Sequence, residues 1–441
     1  MKKKILIDIH CHFFSKTMFT SDIARLIASI RVNPLPFFQN NAKSKSERNI
    51  TRFLNIAYDK SPMQIYDFMK DEYDCDFIAV PLMIDMTFMM EKVNGDSPKS
   101  AGYIRRIRHG ISRKALESQN KFLSWLGDTV LPKGSKELTS NSSVNFFKNS
   151  YEVQLKELIA LKKLMPDKIY PFFSIDPRRD KTFKKGVIGE IKKYVGKDKY
   201  FSGIKLYTGL GYSPTDPALY KGKNSVYAWC EKNKIPITAH FGYSGVSHVL
   251  TENQIEGDIY YSKSGEVIPI EEYSISKTIK YRSNYMGNTD EMIQERQLMH
   301  NHPKLWRKVL EKYPKLKINF AHMGGNEQVK AYAQGKKMAF WTSMVIELME
   351  EYPNVYCDLS CFYTPNDEDF GLRDVYDKVY LKMSKKARRK VMYGSDFYMV
   401  LLYKPSLKGY VEEFKREFGN DFEKIAYDNP AVFMGFKRRF F

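Results

Sequence analysis

Cysteine is scarce in this sequence, and long hydrophobic runs are absent. Five cysteines among 441 residues, with no Cys-x-x-Cys pair, exclude a disulfide framework and argue against a structural zinc site made of thiolates. This cysteine usage favours a reducing compartment, so we expect a cytoplasmic protein. No apolar run reaches the roughly 18 residues that a transmembrane helix needs. The apolar part of the first ten residues is also too short for a signal peptide.

Acidic residues are few relative to basic ones. The chain has 71 Lys and Arg against 51 Asp and Glu, a formal net charge of +20. A basic surface can serve nucleic acid, an anionic membrane or an acidic substrate. We favour the interpretation that the positive charge reflects a proteome that is rich in lysine throughout. We therefore expect no nucleic-acid or membrane partner. Hydrophobic residues at 43% and charged residues at 28% are typical of a folded globular protein.

Eight short apolar runs alternate with stretches of helical periodicity. These runs are Ile5–Ile9, Phe77–Met83, Ile169–Ile175, Gly203–Tyr207, Pro236–Ala239, Leu316–Ala321, Val355–Leu359 and Val391–Tyr393. Most are apolar at nearly every position, as in parallel strands that are covered on both faces. The pattern predicts an α/β fold, a (β/α)8 barrel of the TIM type, formed by a single domain over residues 1–441.

Three long stretches do not fit the minimal barrel: about 16–60, 86–150 and 245–300. Long connections in a compact domain are typically lids, binding loops or disorder. We expect them to be βα-loop insertions that form a lid over the active-site end of the barrel. The second contains a basic segment, 103–114. For it we favour a solvated helix face over capture of an anionic substrate and over nucleic-acid binding.

Histidines occur where the first strand ends. His10 and His12 are two residues apart, so on a strand both side chains project to the same side, about 6.6 Å apart along it. Two imidazoles at this spacing can bind one cation at about 2.0–2.1 Å. Asp8 shares their face, whereas Cys11 points away from it. Taken alone, the pattern is compatible with a chance His-x-His at a strand end.

Three further strands end in residues of the same kind. His240 ends the fifth predicted strand, His322 the sixth and Asp396 the eighth. The carboxyl ends of barrel strands converge on one face, where such barrels build their active sites. The set therefore predicts a metal-dependent active site, in preference to histidines that are merely hydrogen-bonded inside a core.

The chain resembles the amidohydrolase superfamily, in the branch that includes metal-dependent hydrolases and non-oxidative decarboxylases. The motifs that carry the resemblance follow one another in the family's order: His10-x-His12, Gly203-Ile-Lys-Leu-Tyr207, His240, His302-Pro-Lys-Leu-Trp306, Asn319-Phe-Ala-His-Met-Gly-Gly325, Asn354-Val-Tyr-Cys-Asp-Leu-Ser360, Gly394-Ser-Asp396 and the tail Asp428-Asn-Pro-Ala431 to Gly435. The resemblance covers the predicted barrel and leaves out most of the three insertions.

The resemblance implies a role for each residue of the set. His10, His12, His240 and Asp396 would be metal ligands, and Asp396 would also receive the proton of a metal-bound water. His322 would bind a second metal, or act as an acid/base group or oxyanion stabiliser. We expect Asp396 and His322 to be catalytic. The cofactor would be a divalent cation, zinc with manganese as the alternative, and one ion rather than two.

Lys205, Tyr207 and His302 are the predicted substrate-binding residues. For Lys205 three roles stay open: a carbamylated ligand that bridges two metals, a contact to a substrate anion, and a structural role. Asp176, which ends the third strand, is either a site residue or an ordinary turn start. We predict that His109, His248 and His300 are surface or lid residues.

These expectations together predict a metal-dependent hydrolase. It would activate a metal-bound water to cleave a C–N or C–O bond of a small, carboxylate-bearing substrate. A first alternative is metal-dependent non-oxidative decarboxylation of an aromatic or unsaturated acid. A second is a non-catalytic basic binding protein on an inherited barrel. The sequence leaves open whether the protein is a monomer or a homo-oligomer.

Overall fold

A computed structural model describes residues 5–15, 60–89, 140–248, 250–281, 290–338, 340–362, 370–404 and 406–436. Most of the first two predicted insertions lies outside these residues, as do the basic segment 103–114 and His109. A long helix begins at Ser140, inside the stretch up to 150 that we assigned to the second insertion. No helix among the described residues is both long and apolar enough to cross a membrane.

All eight predicted strands are present among the twelve strands of the described residues. The twelve are β1 Leu6–Cys11, β2 Phe77–Pro81, β3 Phe172–Ser174, β4 Gly203–Leu206, β5 Ile237–Gly242, β6 Glu252–Gln254, β7 Asp258–Tyr261, β8 Glu266–Pro269, β9 Thr278–Lys280, β10 Ile318–Gly324, β11 Val355–Asp358 and β12 Val391–Met392. Strands β1 to β5 and β10 to β12 are the eight that the sequence predicts.

These eight strands are parallel to their neighbours. Strand β1 pairs with β2, and the other six form one sheet in the order β12-β11-β10-β5-β4-β3. Hydrogen bonds join the two groups at both edges. Tyr170 N donates to Ala79 O at 2.9 Å beside β3, and Ile9 N donates to Tyr393 O at 3.4 Å beside β12. The predicted α/β class with a parallel sheet is therefore confirmed.

Sixteen α-helices lie among the described residues. They are α1 Pro62–Tyr73, α2 Ser140–Leu164, α3 Gly186–Tyr194, α4 Pro217–Tyr220, α5 Val226–Asn233, α6 Ile270–Tyr273, α7 Asp290–Asn301, α8 Pro303–Lys312, α9 Asn326–Ala333, α10 Phe340–Glu351, α11 Leu372–Asp374, α12 Lys385–Arg388, α13 Phe397–Tyr403, α14 Leu407–Phe418, α15 Asn420–Glu423 and α16 Asn429–Met434. Several begin at side chains that satisfy the free N–H groups of the first turn, as Ser61 and Gln64 do reciprocally for α1.

The core is built from the apolar strand residues. All residues of the eight parallel strands are buried except His322, which is partly buried. A fully buried Ile, Val or Phe side chain contributes about 1.5–3 kcal/mol relative to an exposed one. One apolar cluster joins strands from both groups, including Ile7 of β1, Val80 of β2, Phe172 of β3 and Met392 of β12. This shared packing fixes the strand ends relative to one another.

The third predicted insertion contains two small antiparallel pairs, β6 with β9 and β7 with β8. It packs on the loop that follows β4. Val246 N donates to Tyr207 Oη at 2.7 Å. His248 N donates to Gly209 O, and Asn253 Nδ2 donates to Gly211 O. The insertion therefore lies against a loop at the carboxyl end of the parallel sheet.

Candidate metal centre

The predicted metal ligands lie close together at the carboxyl ends of four strands. The ring centroids of His10 and His12 are 5.4 Å apart, those of His10 and His322 are 4.8 Å apart, and those of His240 and His322 are 5.1 Å apart. His12 Nε2 lies 3.7 Å from Asp396 Oδ1. The structure thus brings four histidines and one carboxylate from β1, β5, β10 and β12 into one cluster.

The tightest part of this cluster differs from the predicted ligand set. One possible ligand atom from each of His10, His322 and Asp396 lies within 4.8 Å of the others. It is the only such group of three metal-binding side chains in the described part of the chain. His322, which the resemblance left between several roles, therefore lies closer to His10 and Asp396 than His240 does.

Backbone carbonyl groups fix the protonation of two of these rings. His12 Nδ1 lies 2.7 Å from Leu82 O, and His240 Nε2 lies 3.1 Å from Ser244 O. A carbonyl oxygen only accepts, so these two nitrogens carry the hydrogen. His12 Nε2 and His240 Nδ1 are then left as unprotonated nitrogens, the form in which histidine binds a metal.

Close backbone approach helps to hold His10 and His240 in place. A Cβ on Gly245, whose φ is +117°, would lie 2.6 Å from His240 Nε2. A Cβ on Gly394 would lie 2.7 Å from the Cβ of His10. Glycine is therefore required at both positions, because any side chain would displace an imidazole of the cluster.

Two site residues have a left-handed backbone. His322 has φ +65° and Asp396 has φ +47°. Non-glycine residues in this region are uncommon and cost of order 1–3 kcal/mol, and they concentrate at functional sites. For Asp396 the cost is smaller because aspartate tolerates this conformation, and its N–H donates to His10 O at 2.6 Å. This bond ties the end of β12 directly to β1.

Strand β11 contributes two residues that we did not predict as site residues. Asp358 is fully buried, and its Oδ2 lies 3.1 Å from His10 Nδ1. Ser360 Oγ lies 3.0 Å from His10 Nδ1 and 2.9 Å from His322 Nδ1. The signal was present in the sequence as the Asp-x-Ser that follows Asn354, within a motif that we used only for the resemblance.

Burial controls the protonation of the cluster. It lowers the pKa of His12 to about 3 and the pKa of His322 to about 4. Burial alone would raise the pKa of Asp358, but the imidazoles of His10 and His322 and their hydrogen bonds hold it well below its usual range. At neutral pH His12 and His322 are therefore neutral imidazoles, and Asp358 is a carboxylate.

Lys205 and Tyr207, two of the predicted substrate-binding residues, border the cluster. Burial lowers the pKa of Lys205 to about 8, although Asp358 and Asp396 act in the opposite direction. The Tyr207 ring stacks on His240 with centroids 4.0 Å apart. Lys205 Nζ lies 5.6 Å from the centroid of that tyrosine ring. A buried amine next to the cluster can bind an anionic group of a substrate.

His302, the third predicted substrate-binding residue, has other contacts. Its ring stacks on Tyr260 with centroids 3.5 Å apart, and its Nδ1 accepts from Lys304 N at the start of α8. Asp176 forms a two-pronged ion pair with Arg178. These contacts give His302 a capping and packing role and Asp176 a charge-pairing role.

Two histidines that we predicted as surface or lid residues are in fact buried. His248 and His300 are both 0% exposed, so a surface position is wrong for them. The error has a physical cause: the insertion that carries them folds onto the loop after β4 and covers both rings. His248 packs edge-on against Tyr281, and His300 Nε2 lies 2.6 Å from Tyr281 Oη.

The donor set fits a divalent cation. In two of the four imidazoles one nitrogen donates to a backbone carbonyl, so the other nitrogen is unprotonated and can bind a metal. Asp396 adds a carboxylate. Histidine nitrogen with carboxylate oxygen suits zinc, and manganese is bound through the same groups. Removing these imidazoles and a carboxylate from water costs free energy, and a bound cation offsets that cost.

Comparison with known proteins agrees with this chemistry. The model of the amidohydrolase family matches residues 143–436, which is 294 of the 441 residues. No curated protein is significantly similar to the chain in sequence. Solved structures are similar to it in fold.

Three of these structures illustrate the similarity. 5-Carboxyvanillate decarboxylase from Novosphingobium aromaticivorans, solved with manganese and a nitrobenzoic acid, is 12% identical, with 98% of this chain and 96% of that chain covered and a TM-score of 0.50. 2,6-Dihydroxybenzoate decarboxylase from Rhizobium is 10% identical, with 99% of each chain covered and a TM-score of 0.47. 4-Oxalomesaconate hydratase from Rhodopseudomonas palustris is 14% identical, with coverage of 98% and 96% and a TM-score of 0.44.

At sequence identities of 10–14% these structures are evidence for the fold alone. Membership rests on the family match, which spans two thirds of the chain and includes His240, His322 and Asp396. The protein belongs to the amidohydrolase family.

Proposed function

We propose that this protein is a metal-dependent hydrolase that cleaves a C–N or C–O bond of a small, carboxylate-bearing substrate. One observation carries the proposal: four buried histidines and Asp396 meet at the carboxyl ends of β1, β5, β10 and β12. His10, His12, His240 and Asp396 would hold one zinc or manganese ion. His322 either completes this set or acts on the substrate.

Each polar group around the cluster then has a task. A divalent cation held there would supply Lewis acidity and bring the pKa of a bound water down to near neutrality. Asp396 accepts the proton of the attacking water and passes it to the leaving group. His322 is a neutral imidazole that either completes the ligand set or accepts a proton from the substrate as a base. Lys205 binds the substrate carboxylate through its ammonium group, and the Tyr207 ring forms part of the wall.

The architecture that we propose for this site is a closed barrel under a lid. The hydrogen bonds between Tyr170 and Ala79 and between Ile9 and Tyr393 support closure, because they link the two strand groups at both edges. The contacts of residues 246–253 with the loop after β4 support a lid formed in part by the third insertion. We place the enzyme in the cytoplasm, with a small molecule as its partner.

A substrate panel tests this proposal. The protein is stripped with a chelator, reloaded with zinc or manganese, and assayed on amides, lactones and esters that carry a carboxylate, alongside aromatic and unsaturated acids. We expect metal-dependent release of an amine or alcohol from at least one carboxylate-bearing compound. The matched uncharged methyl ester should react at least tenfold more slowly, because it lacks the charge that Lys205 binds.

The same panel distinguishes the rival reaction. Carbon dioxide release from an aromatic acid, with no hydrolysis of any amide or ester, would replace our proposal by decarboxylation. Equal rates before and after removal of the metal would contradict both reactions. A variant Lys205→Met that retains full preference for the carboxylate-bearing compound would remove the role that we give to Lys205.

A further inference from the structure

Strand β11 ends in a carboxylate and a hydroxyl that contact two histidines of the cluster at once. We infer that Asp358 and Ser360 are positioning residues that fix His10 and His322 in one tautomer, with hydrogen on Nδ1 and a lone pair on Nε2. The last step of the inference, delivery of Nε2 of His10 to a cation and of Nε2 of His322 to the same cation or to the substrate, rests on the function proposed above. The assignment of the tautomers does not depend on it.

The contacts of Asp358 determine where the hydrogen of His10 lies. Its Oδ1 accepts from the backbone N–H groups of His322 at 3.0 Å and Ser360 at 3.1 Å, and from the Ser360 hydroxyl. Its Oδ2 accepts from Asn319 Nδ2 at 2.7 Å. A carboxylate with these donors acts only as an acceptor. His10 Nδ1, 3.1 Å from Oδ2, must therefore carry the hydrogen.

Ser360 determines where the hydrogen of His322 lies. The Ser360 hydroxyl donates its hydrogen to Asp358. Its Oγ therefore acts as an acceptor toward His322 Nδ1 at 2.9 Å. The backbone oxygen of Ser360, which can only accept, lies 3.2 Å from the same nitrogen. Both contacts require hydrogen on His322 Nδ1. One carboxylate and one hydroxyl thus leave Nε2 of both rings unprotonated.

The inference explains why this strand end carries a carboxylate without a cationic side chain among its hydrogen-bond donors. Hydrogen bonds to the second nitrogen of a metal-binding histidine typically improve metal affinity by 10–100-fold. Without Asp358 the Ser360 hydroxyl is free to turn and donate to either imidazole. The hydrogen of that ring would then move to Nε2 and block it as a ligand.

Nitrogen-15 spectra of the histidines test the tautomers directly. The metal-free protein is labelled on histidine, and the ring couplings of His10 and His322 are assigned with His10→Gln and His322→Gln. We expect both rings to carry hydrogen on Nδ1 in the wild type. In Asp358→Asn at least one of the two rings should change tautomer or exchange between both. In Ser360→Ala the change should be smaller, because Asp358 and the backbone carbonyl of residue 360 remain as acceptors.

Zinc affinity, measured by competition with a coloured chelator, provides the second readout. We expect about 10–100-fold weaker binding in Asp358→Asn and a smaller loss in Ser360→Ala. The matched control is Asp216→Asn, since Asp216 is also buried but accepts from Ala218 N at the start of α4 rather than from an imidazole. Its zinc affinity should stay within threefold of wild type.

The two readouts separate this inference from the proposed function. Hydrogen on Nε2 of His10 or His322 in the wild type would overturn the inference. Unchanged tautomers in Asp358→Asn would overturn it as well, and Asp358→Ala decides if Asp358→Asn fails to fold. A wild-type protein that has the expected tautomers but binds no zinc would contradict the proposed function and leave the role of Asp358 and Ser360 intact.

Discussion

Replacement of Asp396 by asparagine is expected to lower kcat/KM by about 10²–10⁴-fold, equivalent to about 3–5 kcal/mol of barrier. The variant loses both the proton acceptor and the charge that faces His12 at 3.7 Å. Its fold should persist, because asparagine tolerates the left-handed backbone of this position as well as aspartate does. The backbone bond from residue 396 to His10 O does not involve the side chain.

A matched control separates loss of a carboxylate from loss of the catalytic group. Asp216 is also buried, but its side chain accepts from Ala218 N at the start of α4. Asn is as good a helix cap as Asp, so Asp216→Asn should retain activity within about threefold and keep the thermal midpoint. Retention of more than a third of wild-type kcat/KM by Asp396→Asn would mean that the catalytic centre lies elsewhere.

The second large effect concerns acid stability and arises outside the metal centre. Burial lowers the pKa of His300 to about 3 and the pKa of His248 well below its ordinary value, and the nearby guanidinium groups of Arg178 and Arg296 act in the same direction. Below pH 6.5 the unfolded chain binds protons on both residues while the folded protein does not. Stability is therefore full above pH 6.5 and falls as the pH drops toward 3.

The size of this effect follows from linkage. Each imidazole that stays neutral in the folded protein lowers the free energy of unfolding by about 1.4 kcal/mol for every pH unit below the pKa that it has in the unfolded chain. The two together should lower the free energy of unfolding by about 4 kcal/mol between pH 7.5 and pH 5. Urea denaturation of the chelator-treated wild type and of a variant without these two histidines, at both pH values, measures it.

Variants identify the source of the pH dependence. The double variant His248→Asn/His300→Gln cannot titrate at these positions, so its loss of stability between the two pH values should be smaller by about 4 kcal/mol than that of wild type. The comparison uses the difference between pH values, so a uniform destabilisation by the substitutions does not affect it. The same pH dependence in both proteins would show that these rings are accessible to protons in the folded state.

The order of the strands and the end of each strand were predictable from local sequence. An apolar run such as Pro236–Ala239 predicts a strand buried on both faces, as observed for β5, and parallel pairing sets the carboxyl ends of such strands side by side. A histidine or aspartate at such an end must then face its counterparts on neighbouring strands. The proximity of His240 and His322 follows from this rule, whereas the approach of His10 and Asp396 depends on how β1 joins β12.

Contacts between distant segments were not predictable in the same way. Asp358 and Ser360 meet His10 across about 350 residues of chain, and their spacing within the motif does not show which atoms they contact. Whether His248 and His300 are buried depends on how an insertion of irregular sequence folds back. His302 caps the helix that begins at Pro303, and its role in substrate binding stays a prediction, because the sequence of a histidine before proline does not distinguish a cap from a ligand contact.

The most direct test of the account is the position of the metal. Crystals grown with zinc and measured at the zinc absorption edge should show one anomalous peak per chain, at about 2.0–2.2 Å from ring nitrogens of His10 and His12 and from an oxygen of Asp396. His240 or His322 should complete the coordination. Zinc bound only elsewhere on the chain would contradict the central claim. So would the absence of a peak at this cluster in crystals grown with an excess of zinc.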